Sequence, residues 1–385
     1  MPLSQPEIAQ FRTKVCEIAQ GEEEIRPSPR LGNRISARHR ISQPSRIETE
    51  PFYRQNSGVE SPSPSFTPSV EPVEAQFERD MRPQDFSEFL GQEDLLKPLQ
   101  LMIRATKERK EPLEHLLLSG LPGLGKTSLA LALTQELGVP LKLTSGPALE
   151  RAKDLVGILS QLEPHSLLFI DEIHRLPRVV EEYLYSAMER FQLEFTLDQG
   201  AHARLLKMDI QPFTLVGATT REALLTSAFR SRFGHTLRFE PYTTPALLQI
   251  LIRNSALLGL KAPTDALQLL AERARGVPRI ANRLLRRARD VAQCDSKKEL
   301  TSEIVHRTLD MLGIDAYGLE KIDRRILTAL AEAGRPIGLK ALAVAVDEAE
   351  DTLEDVLEPW LIRQGLLLRT PQGRILTQKG EALAE

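Results

Sequence analysis

Hydrophobic positions along the chain form short continuous runs that alternate with stretches of helical spacing. The run Leu116–Leu118 predicts a buried strand, and residues 128–137 continue with the spacing of a helix. Further apolar runs that predict strands occupy residues 141–144, 166–170, 213–218 and 235–239, with helical spacing over 92–109 and 150–162. Because strands that alternate with helices usually pair in parallel, the pattern predicts an α/β fold with helices on both faces of the sheet.

Residues 190–212 interrupt this alternation of strands and helices. Apolar and polar residues alternate over 192–197 and again over 204–210, with turn-forming residues between them, so we expect an inserted β-hairpin. Such an insertion is either a surface loop without further role or, where its apolar side chains are exposed, an edge on which a partner docks.

The remainder of the chain is predominantly helical. Residues 244–312 show only helical spacing, whereas residues 318–385 predict three helices and a hairpin, with Pro359 bending or shortening the third helix. Three helices and a hairpin are typical of a winged-helix domain, in which Arg369 and Arg374 flank the hairpin tip. Such domains bind DNA or serve as docking sites for proteins, and the residues alone leave both readings open.

Residues 1–80 differ in composition from the rest of the chain. Prolines and serines are frequent and apolar residues sparse, so we expect a disordered extension. A basic run between Arg30 and Arg40 either contacts nucleic acid or is a solvated part of this extension. Since the formal net charge of all 385 residues is only −3, any contact with nucleic acid must come from a local patch.

The composition also narrows the class of protein. No apolar run reaches the ~18 residues that a membrane-spanning helix needs, and the first residues contain no hydrophobic signal core. We therefore expect a cytoplasmic protein that is not inserted in a membrane. Cys16 and Cys294 lie far apart and outside any metal-type spacing, so we expect no zinc site.

The first chemical signal is the glycine-rich stretch Gly120-Leu121-Pro122-Gly123-Leu124-Gly125-Lys126-Thr127, which joins the strand at 116–118 to the following helix. In this context GxxxxGK[ST] is a phosphate-binding loop, because its glycines let backbone N–H groups and the helix N-terminus converge on one anion. Lys126 would reach the terminal phosphates, and Thr127 would supply a hydroxyl to Mg²⁺.

The second signal is Asp171-Glu172, which follows the apolar run 166–170 directly. A carboxylate at the carboxyl end of a parallel strand lies in the crevice where such sheets bind ligands. We expect Asp171 to complete the Mg²⁺ shell and Glu172 to orient or deprotonate the attacking water.

At three further sites the residues alone do not decide between a structural and a functional role. Thr219–Arg221 end an apolar strand, where a polar side chain can hydrogen-bond a γ-phosphate or a water molecule. Arg230 and Arg232 flank a serine, a pattern that more commonly indicates surface charge than chemistry. Arg279 begins a row of arginines on one helix face, which is either solvated or a phosphate contact.

From Met81 to Lys379 the chain resembles the RuvB family, hexameric AAA+ motors that drive Holliday-junction branch migration. The stretches that carry the resemblance are Met81-Arg82-Pro83, Phe89-Leu90-Gly91-Gln92, Gly123–Thr127, Thr144–Pro147, Leu168–Leu176, Pro212–Arg221, Pro278–Arg287, Leu309–Leu312 and Arg369-Thr370-Pro371. The runs DEIHRL, from Asp171, and PRIANRLLRR, from Pro278, are the most specific of these.

The resemblance implies a domain order and a function. It implies an AAA+ P-loop ATPase core over 81–243, a helical lid over 244–313 and a DNA-binding winged helix over 314–385. It also implies a homohexamer that hydrolyses ATP with Mg²⁺ and moves Holliday-junction or other double-stranded DNA in recombination and repair, with a RuvA-type partner docked on the 190–212 hairpin. The alternative is a clamp-loader-like remodeller that binds DNA under ATP control without translocating.

The same resemblance implies roles for individual residues. Thr220 falls at the sensor 1 position, Arg279 at sensor 2, and Arg232 at the arginine finger that reaches the ATP of a neighbouring subunit. The implied nucleotide contacts are Arg82, Pro83, Phe89, Leu90, Tyr242 and Pro278 around the adenine, and Gly123, Leu124, Gly125, Lys126, Thr127 and Ser128 around the phosphates. Arg369 and Arg374 fall in the DNA-contacting wing.

Four stretches depart from the family pattern. Leu121 replaces a proline of the phosphate loop, which leaves the phosphate contacts intact, and Ser231 replaces an acid between two arginines. Glu222-Ala223 replaces Ala-Gly after sensor 1, so we expect a stiffer step there. Gln372 replaces a basic wing residue, which predicts weaker contact with DNA.

Overall fold

The computed structural model describes residues 81–197, 204–295 and 299–384. Predictions for residues 1–80 lie outside this range. In the described residues the strands are β1 (Leu116–Ser119), β2 (Leu141–Ser145), β3 (Leu167–Asp171), β4 (Gln192–Leu197), β5 (Arg204–Asp209), β6 (Thr214–Thr219), β7 (His235–Arg238), β8 (Leu367–Thr370) and β9 (Gly373–Leu376).

The described helices follow the same chain order. They are α1 (Glu93–Arg109), α2 (Lys126–Leu137), α3 (Ala152–Leu159), α4 (Arg178–Arg190), α5 (Ser227–Arg230), α6 (Thr244–Leu257), α7 (Thr264–Arg273), α8 (Pro278–Cys294), α9 (Ser302–Leu312), α10 (Lys321–Ala333), α11 (Leu339–Val346), α12 (Glu350–Thr352), α13 (Glu358–Arg363) and α14 (Gln378–Ala384). A π-helical segment, Leu353–Leu357, joins α12 to α13.

Five strands form a parallel sheet in the order β2-β3-β6-β1-β7. Residues of β1 alternate between two hydrophobic cores: Leu116 and Leu118 pack with α1, α2 and the helices after 244, whereas Leu117 packs with α3 and α4. The central strands are buried on both faces, which explains why their apolar runs are continuous. The predicted α/β fold, with helices on both faces, is confirmed.

The order of the strands brings three chain segments to one edge of the sheet. Ser119 pairs in register with Thr219, and Asp171 ends the adjacent strand β3. Because all strands of the sheet are parallel, their carboxyl ends lie at the same edge, where open α/β sheets bind ligands.

The predicted hairpin insertion forms as β4 and β5, which pair antiparallel from Gln192 opposite Asp209 to Leu197 opposite Arg204. Leu193 and Met208 join the hydrophobic core beside α4, which anchors the base of the hairpin to the α/β domain. The tip, residues 198–203, lies outside the described residues.

The C-terminal segment folds as a winged helix with its own core, formed by side chains of α10, α11, α13 and the β8–β9 hairpin. Where the sequence predicts one helix that is bent or shortened by Pro359, the structure has α12, the π-helical segment and α13. Proline disfavours a regular turn before it, because its ring conflicts with the carbonyl four residues earlier, and the wider π turn accommodates this. A further helix, α14, follows the hairpin and was not predicted from the sequence.

Candidate active site

The glycine-rich loop turns from β1 into the N-terminus of α2, as predicted. Gly123 and Gly125 have φ of +79° and +100°, values that side-chain-bearing residues rarely adopt. A Cβ at Gly123 would also lie 2.9 Å from Cβ of Arg279, at the start of α8. Glycine is therefore required here both for the turn and for the close approach of the helical domain, and the loop places backbone N–H groups at a helix N-terminus.

Lys126, the first residue of α2, is buried beneath the loop. Its ammonium donates hydrogen bonds to the carbonyl oxygens of Gly120 and Leu121, at 2.7 and 2.9 Å. Burial lowers the pKa of Lys126 to about 8; the charge of Asp171 opposes this shift and that of Arg279 adds to it. These two charges therefore act on the lysine from β3 and from α8.

Asp171 and Glu172 lie at the end of β3, beside this lysine. An Asp171 carboxylate oxygen accepts a hydrogen bond of 2.9 Å from the Glu172 backbone N–H, and Glu172 has a left-handed backbone with φ of +47°. The Glu172 carboxylate accepts a hydrogen bond of 2.9 Å from the guanidinium of Arg175. The turn thus places the two carboxylates differently: Asp171 stays half-buried at the sheet edge, while Glu172 is exposed.

The oxygen donors at this edge suit Mg²⁺. Mg²⁺ is usually bound by one or two protein oxygens together with substrate phosphates and water, and the Asp171 carboxylate and Thr127 hydroxyl are such donors. Within the described ranges no group of three or more His, Cys, Asp or Glu side chains forms a self-sufficient metal site. The Asp171 carboxylate and the Thr127 hydroxyl therefore fit a metal ion that binds together with the phosphates of a ligand.

The end of β6 contains a contact that sequence reasoning missed. The buried Thr219 hydroxyl accepts a hydrogen bond of 2.9 Å from the Arg221 backbone N–H and lies 3.0 Å from Nδ1 of His174. Burial lowers the pKa of His174, favouring the neutral ring. Thr220, the predicted sensor 1 residue, is half-buried between Thr219 and Arg221.

The predicted adenine pocket is partly assembled around the loop. Phe89 and Tyr242 are buried against Gly125, whose added Cβ would lie 3.3 Å from Cζ of Phe89. The Tyr242 hydroxyl donates to the Leu124 carbonyl at 3.2 Å, and burial raises the pKa of Tyr242 well above its ordinary value. The other predicted members of this group, Arg82, Pro83, Leu90 and Pro278, are half-buried.

Arg279 connects the helical domain to the phosphate loop. Its backbone N–H donates to the Gly123 carbonyl at 3.4 Å, and its charge contributes to the lowered pKa of Lys126. The preceding residues Arg275 and Gly276 both have positive φ, which reverses the chain so that α8 starts at the loop.

Arg232 contacts its own subunit rather than the loop. Its Nε lies 3.1 Å from a carboxylate oxygen of Glu189, and its guanidinium carbon lies 4.1 Å from the ring centre of Tyr185; both partners belong to α4. Its guanidinium also donates to the Ala228 carbonyl. The neighbouring Ser231, found where the family has an acid, donates its hydroxyl to that same carbonyl at 3.0 Å.

The predicted DNA-contacting arginines lie opposite each other on the wing, Arg369 in register with Arg374. Both donate to the carboxylate of the fully buried Glu358, with Nε–O distances of 2.6 and 2.8 Å. The sequence pattern gave no indication of this partner, because Glu358 lies on α13, apart from the hairpin.

Three protein-family models together match nearly all of residues 81–384. Family models match for the P-loop domain of the Holliday junction DNA helicase RuvB over residues 81–239, the RuvB AAA lid domain over 242–315 and the RuvB C-terminal winged helix domain over 316–384. No helix in the described part of the chain is long and apolar enough to cross a membrane.

Individual relatives agree with these models. The chain is 48% identical over 319 residues to the Holliday junction branch migration complex subunit RuvB of Myxococcus xanthus, a match covering 82% of this chain and 93% of that protein. The Chlorobium luteolum counterpart is 49% identical over 312 residues, with 80% and 91% covered. The structure of the Thermotoga maritima RuvB branch migration motor superposes with a TM-score of 0.73 at 44% identity, covering 79% of this chain and 97% of that one. The chain therefore belongs to the RuvB family of P-loop ATPases.

Proposed function

We propose that this protein is an ATP-driven motor that moves Holliday junctions by branch migration, in homologous recombination and DNA repair. The observation that carries the proposal is the continuous match, across the P-loop, lid and winged-helix models, to relatives named as branch migration subunits. The same matches support a core over 81–243, a lid over 244–313 and a winged helix over 314–385. We place the motor in the cytoplasm.

The geometry of the phosphate loop and the end of β3 supports binding and hydrolysis of ATP. In this proposal the loop N–H groups and Lys126 bind the phosphates, Thr127 and Asp171 hold Mg²⁺, and Glu172 orients the attacking water. Mg²⁺ supplies charge neutralisation on the phosphates when bound. Thr220, which directly follows β6, and Arg279 of the lid would contact the γ-phosphate. The contact between Gly123 and Arg279 supports this assignment for the lid.

The neighbouring subunit completes the site in this scheme. Arg232 would leave Glu189 and reach the ATP of the adjacent protomer, so hydrolysis would require a neighbouring subunit, which we assign to a homohexameric ring. The hairpin at 190–212 would dock a RuvA-type partner, and the wing would contact double-stranded DNA. Both assignments rest on family membership together with the hairpin and winged helix observed here.

A junction-migration assay tests the proposal. The full chain, a RuvA-type partner, ATP and a synthetic Holliday junction should give strand exchange that is absent in K126A and E172Q. E182Q, an exposed carboxylate on α4, serves as the matched control and should retain activity. Junction binding with ATP turnover but no strand exchange would favour the clamp-loader-like alternative, and no turnover by the wild-type chain would overturn both.

A further inference from the structure

Arg221 connects the end of β6 to the winged-helix domain. Its guanidinium donates to two carboxylates, with Nε 2.5 Å from Oδ2 of Asp355 and Nη2 2.8 Å from Oδ1 of Asp351. Both acids precede α13, Asp351 on α12 and Asp355 on the π-helical segment. The residue that immediately follows predicted sensor 1 is thus held by the domain predicted to bind DNA.

The connection continues inwards through the Thr219 hydroxyl. Since this oxygen accepts a hydrogen bond from the Arg221 N–H, its own proton is available for Nδ1 of His174, 3.0 Å away. His174 follows Glu172 by two residues, within the turn that ends β3. The contacts therefore run without interruption from Asp355 through Arg221 and Thr219 to the turn that carries the predicted catalytic glutamate.

This arrangement differs from an ordinary surface ion pair. Exposed pairs contribute little, because solvent screens them and the side chains lose entropy. The Arg221 and Asp355 side chains, however, are only 24% and 26% exposed, and the same guanidinium also binds Asp351, whose side chain is 83% exposed. On the next residue, Glu222 pairs with Arg238 at 2.9 Å, but the Arg238 side chain is 70% exposed. Both side chains of the Arg221–Asp355 pair are therefore half-buried, whereas the Glu222–Arg238 pair combines a half-buried acid with a largely exposed arginine and serves as a comparison.

We propose that Arg221 and His174 are positioning residues that transmit the state of the winged-helix domain to the hydrolysis site. Displacement of α12 or the π-helical segment on DNA binding would move Arg221, and with it the backbone on the far side of Thr220. The bond between Thr219 and His174 would carry the same displacement to the Glu172 turn. The proposal rests on the proposed function, because it assigns the coupling between DNA and ATP turnover at that site.

The primary test removes the connection from the DNA-binding side. D351N/D355N keeps side-chain size but removes both negative charges, and R221A removes their common partner. We expect either variant to lower the DNA-stimulated kcat of the full-length ring about five- to twentyfold, in the range typical of coupled sites, with KM for ATP changed less than twofold. Combining the two should lower kcat no further, since they interrupt one connection. R238A should match the wild type.

His174 is tested by a conservative replacement. H174N retains an oxygen that can accept the Thr219 proton near the position of Nδ1, whereas H174A retains no acceptor. H174A should therefore lose DNA stimulation like R221A, and H174N should recover at least half of the wild-type stimulation. A purely structural role would predict equal melting-temperature losses and no such difference between the two variants in kcat.

The results separate this inference from the proposed function. Wild-type protein that lacks DNA-stimulated turnover would overturn the proposed function. Wild-type stimulation that persists unchanged in D351N/D355N would overturn the inference alone. A charge exchange, R221E with D355R, guards against unfolding of R221A: recovery of stimulation supports the connection. If R221E/D355R forms a folded ring but its DNA stimulation is no higher than that of R221E alone, the proposed connection is contradicted.

Discussion

The guanidinium of Arg275 lies 4.3 Å from the ring centre of Trp360, the single tryptophan of the chain. The same guanidinium donates to a carboxylate oxygen of the fully buried Asp323 at 2.6 Å. Arg275 precedes the lid helix that begins at Pro278, and Trp360 and Asp323 belong to the winged helix. One arginine therefore joins the two C-terminal domains through a buried ion pair and a cation–π contact.

Replacement of Arg275 should destabilise this joint measurably. R275A leaves the Asp323 carboxylate buried without its cation, which typically costs about 3–5 kcal/mol of unfolding free energy. Trp360 fluorescence during urea unfolding reports the transition of this region. The double variant R275A/D323N should lose less than R275A, because no uncompensated charge remains buried. A double variant less stable than R275A would show that the ion pair is not the main contribution.

Nucleotide affinity should depend on pH through Lys126. Its pKa is about 8 in the free protein, and bound phosphates would raise it, so binding takes up a proton above pH 8. Affinity should consequently fall about eightfold from pH 7.5 to pH 9, if the pKa in the complex is near the ordinary lysine value. Calorimetry in buffers of different ionisation enthalpy measures the proton uptake.

The control is K126R, whose side chain remains charged over this pH range, so nucleotide binding should take up no proton. If K126R takes up as many protons as the wild type, a group other than Lys126 is responsible.

The ion pair between Arg232 and Glu189 predicts opposite effects of its two partners. R232A removes the cation proposed to act in trans and should reduce turnover about 10³-fold or more. E189Q releases that cation from its own subunit, so turnover at low protein concentration should rise about two- to threefold, as expected for loss of a weak ion pair. E182Q on the same helix is the control. Unchanged turnover in R232A would contradict the assignment of the arginine finger.

The two wing arginines should separate into a DNA contact and a structural contact. The Arg369 side chain is 40% exposed and that of Arg374 only 13%. R369A should weaken binding to all DNA sequences alike and reduce the salt slope by up to about one unit. Both variants remove a partner of Glu358, but R374A should chiefly lower winged-helix stability, by about 1–3 kcal/mol, because the Arg374 side chain is the more buried partner. Anisotropy titrations at several salt concentrations distinguish them, and an unchanged slope in R369A would exclude a phosphate contact.

Local patterns predicted the fold because they depend on neighbouring residues. Continuous apolar runs identified β1, β3 and β6, and alternation over 192–210 identified the hairpin, since strand periodicity is visible within a few residues. The family and its function were predicted from motif order, and the comparisons confirm them. Roles of individual site residues and the domain boundaries remain predictions.

Long-range partners could not be predicted in this way. Arg221 and Asp355 are 134 positions apart, and no spacing rule connects them. Glu358 appears in the sequence as one more acid before a proline, although its burial and its two arginines make it central to the wing. The bond between His174 and Thr219 likewise depends on the adjacency of β3 and β6, which only the sheet order reveals.

The attachment of Arg232 to Glu189 and Tyr185 has a consequence for assembly. In the proposed ring, a protomer on its own keeps the Arg232 guanidinium paired with Glu189, so joining a neighbour would exchange one electrostatic partner for another. The free energy of that exchange would depend on the charge of the phosphates bound by the neighbouring protomer. Adjacent protomers that have already hydrolysed and released their nucleotide would then offer the guanidinium less, and it would return to α4. Such an exchange would let each protomer sense the occupancy of its neighbour without any movement of the backbone.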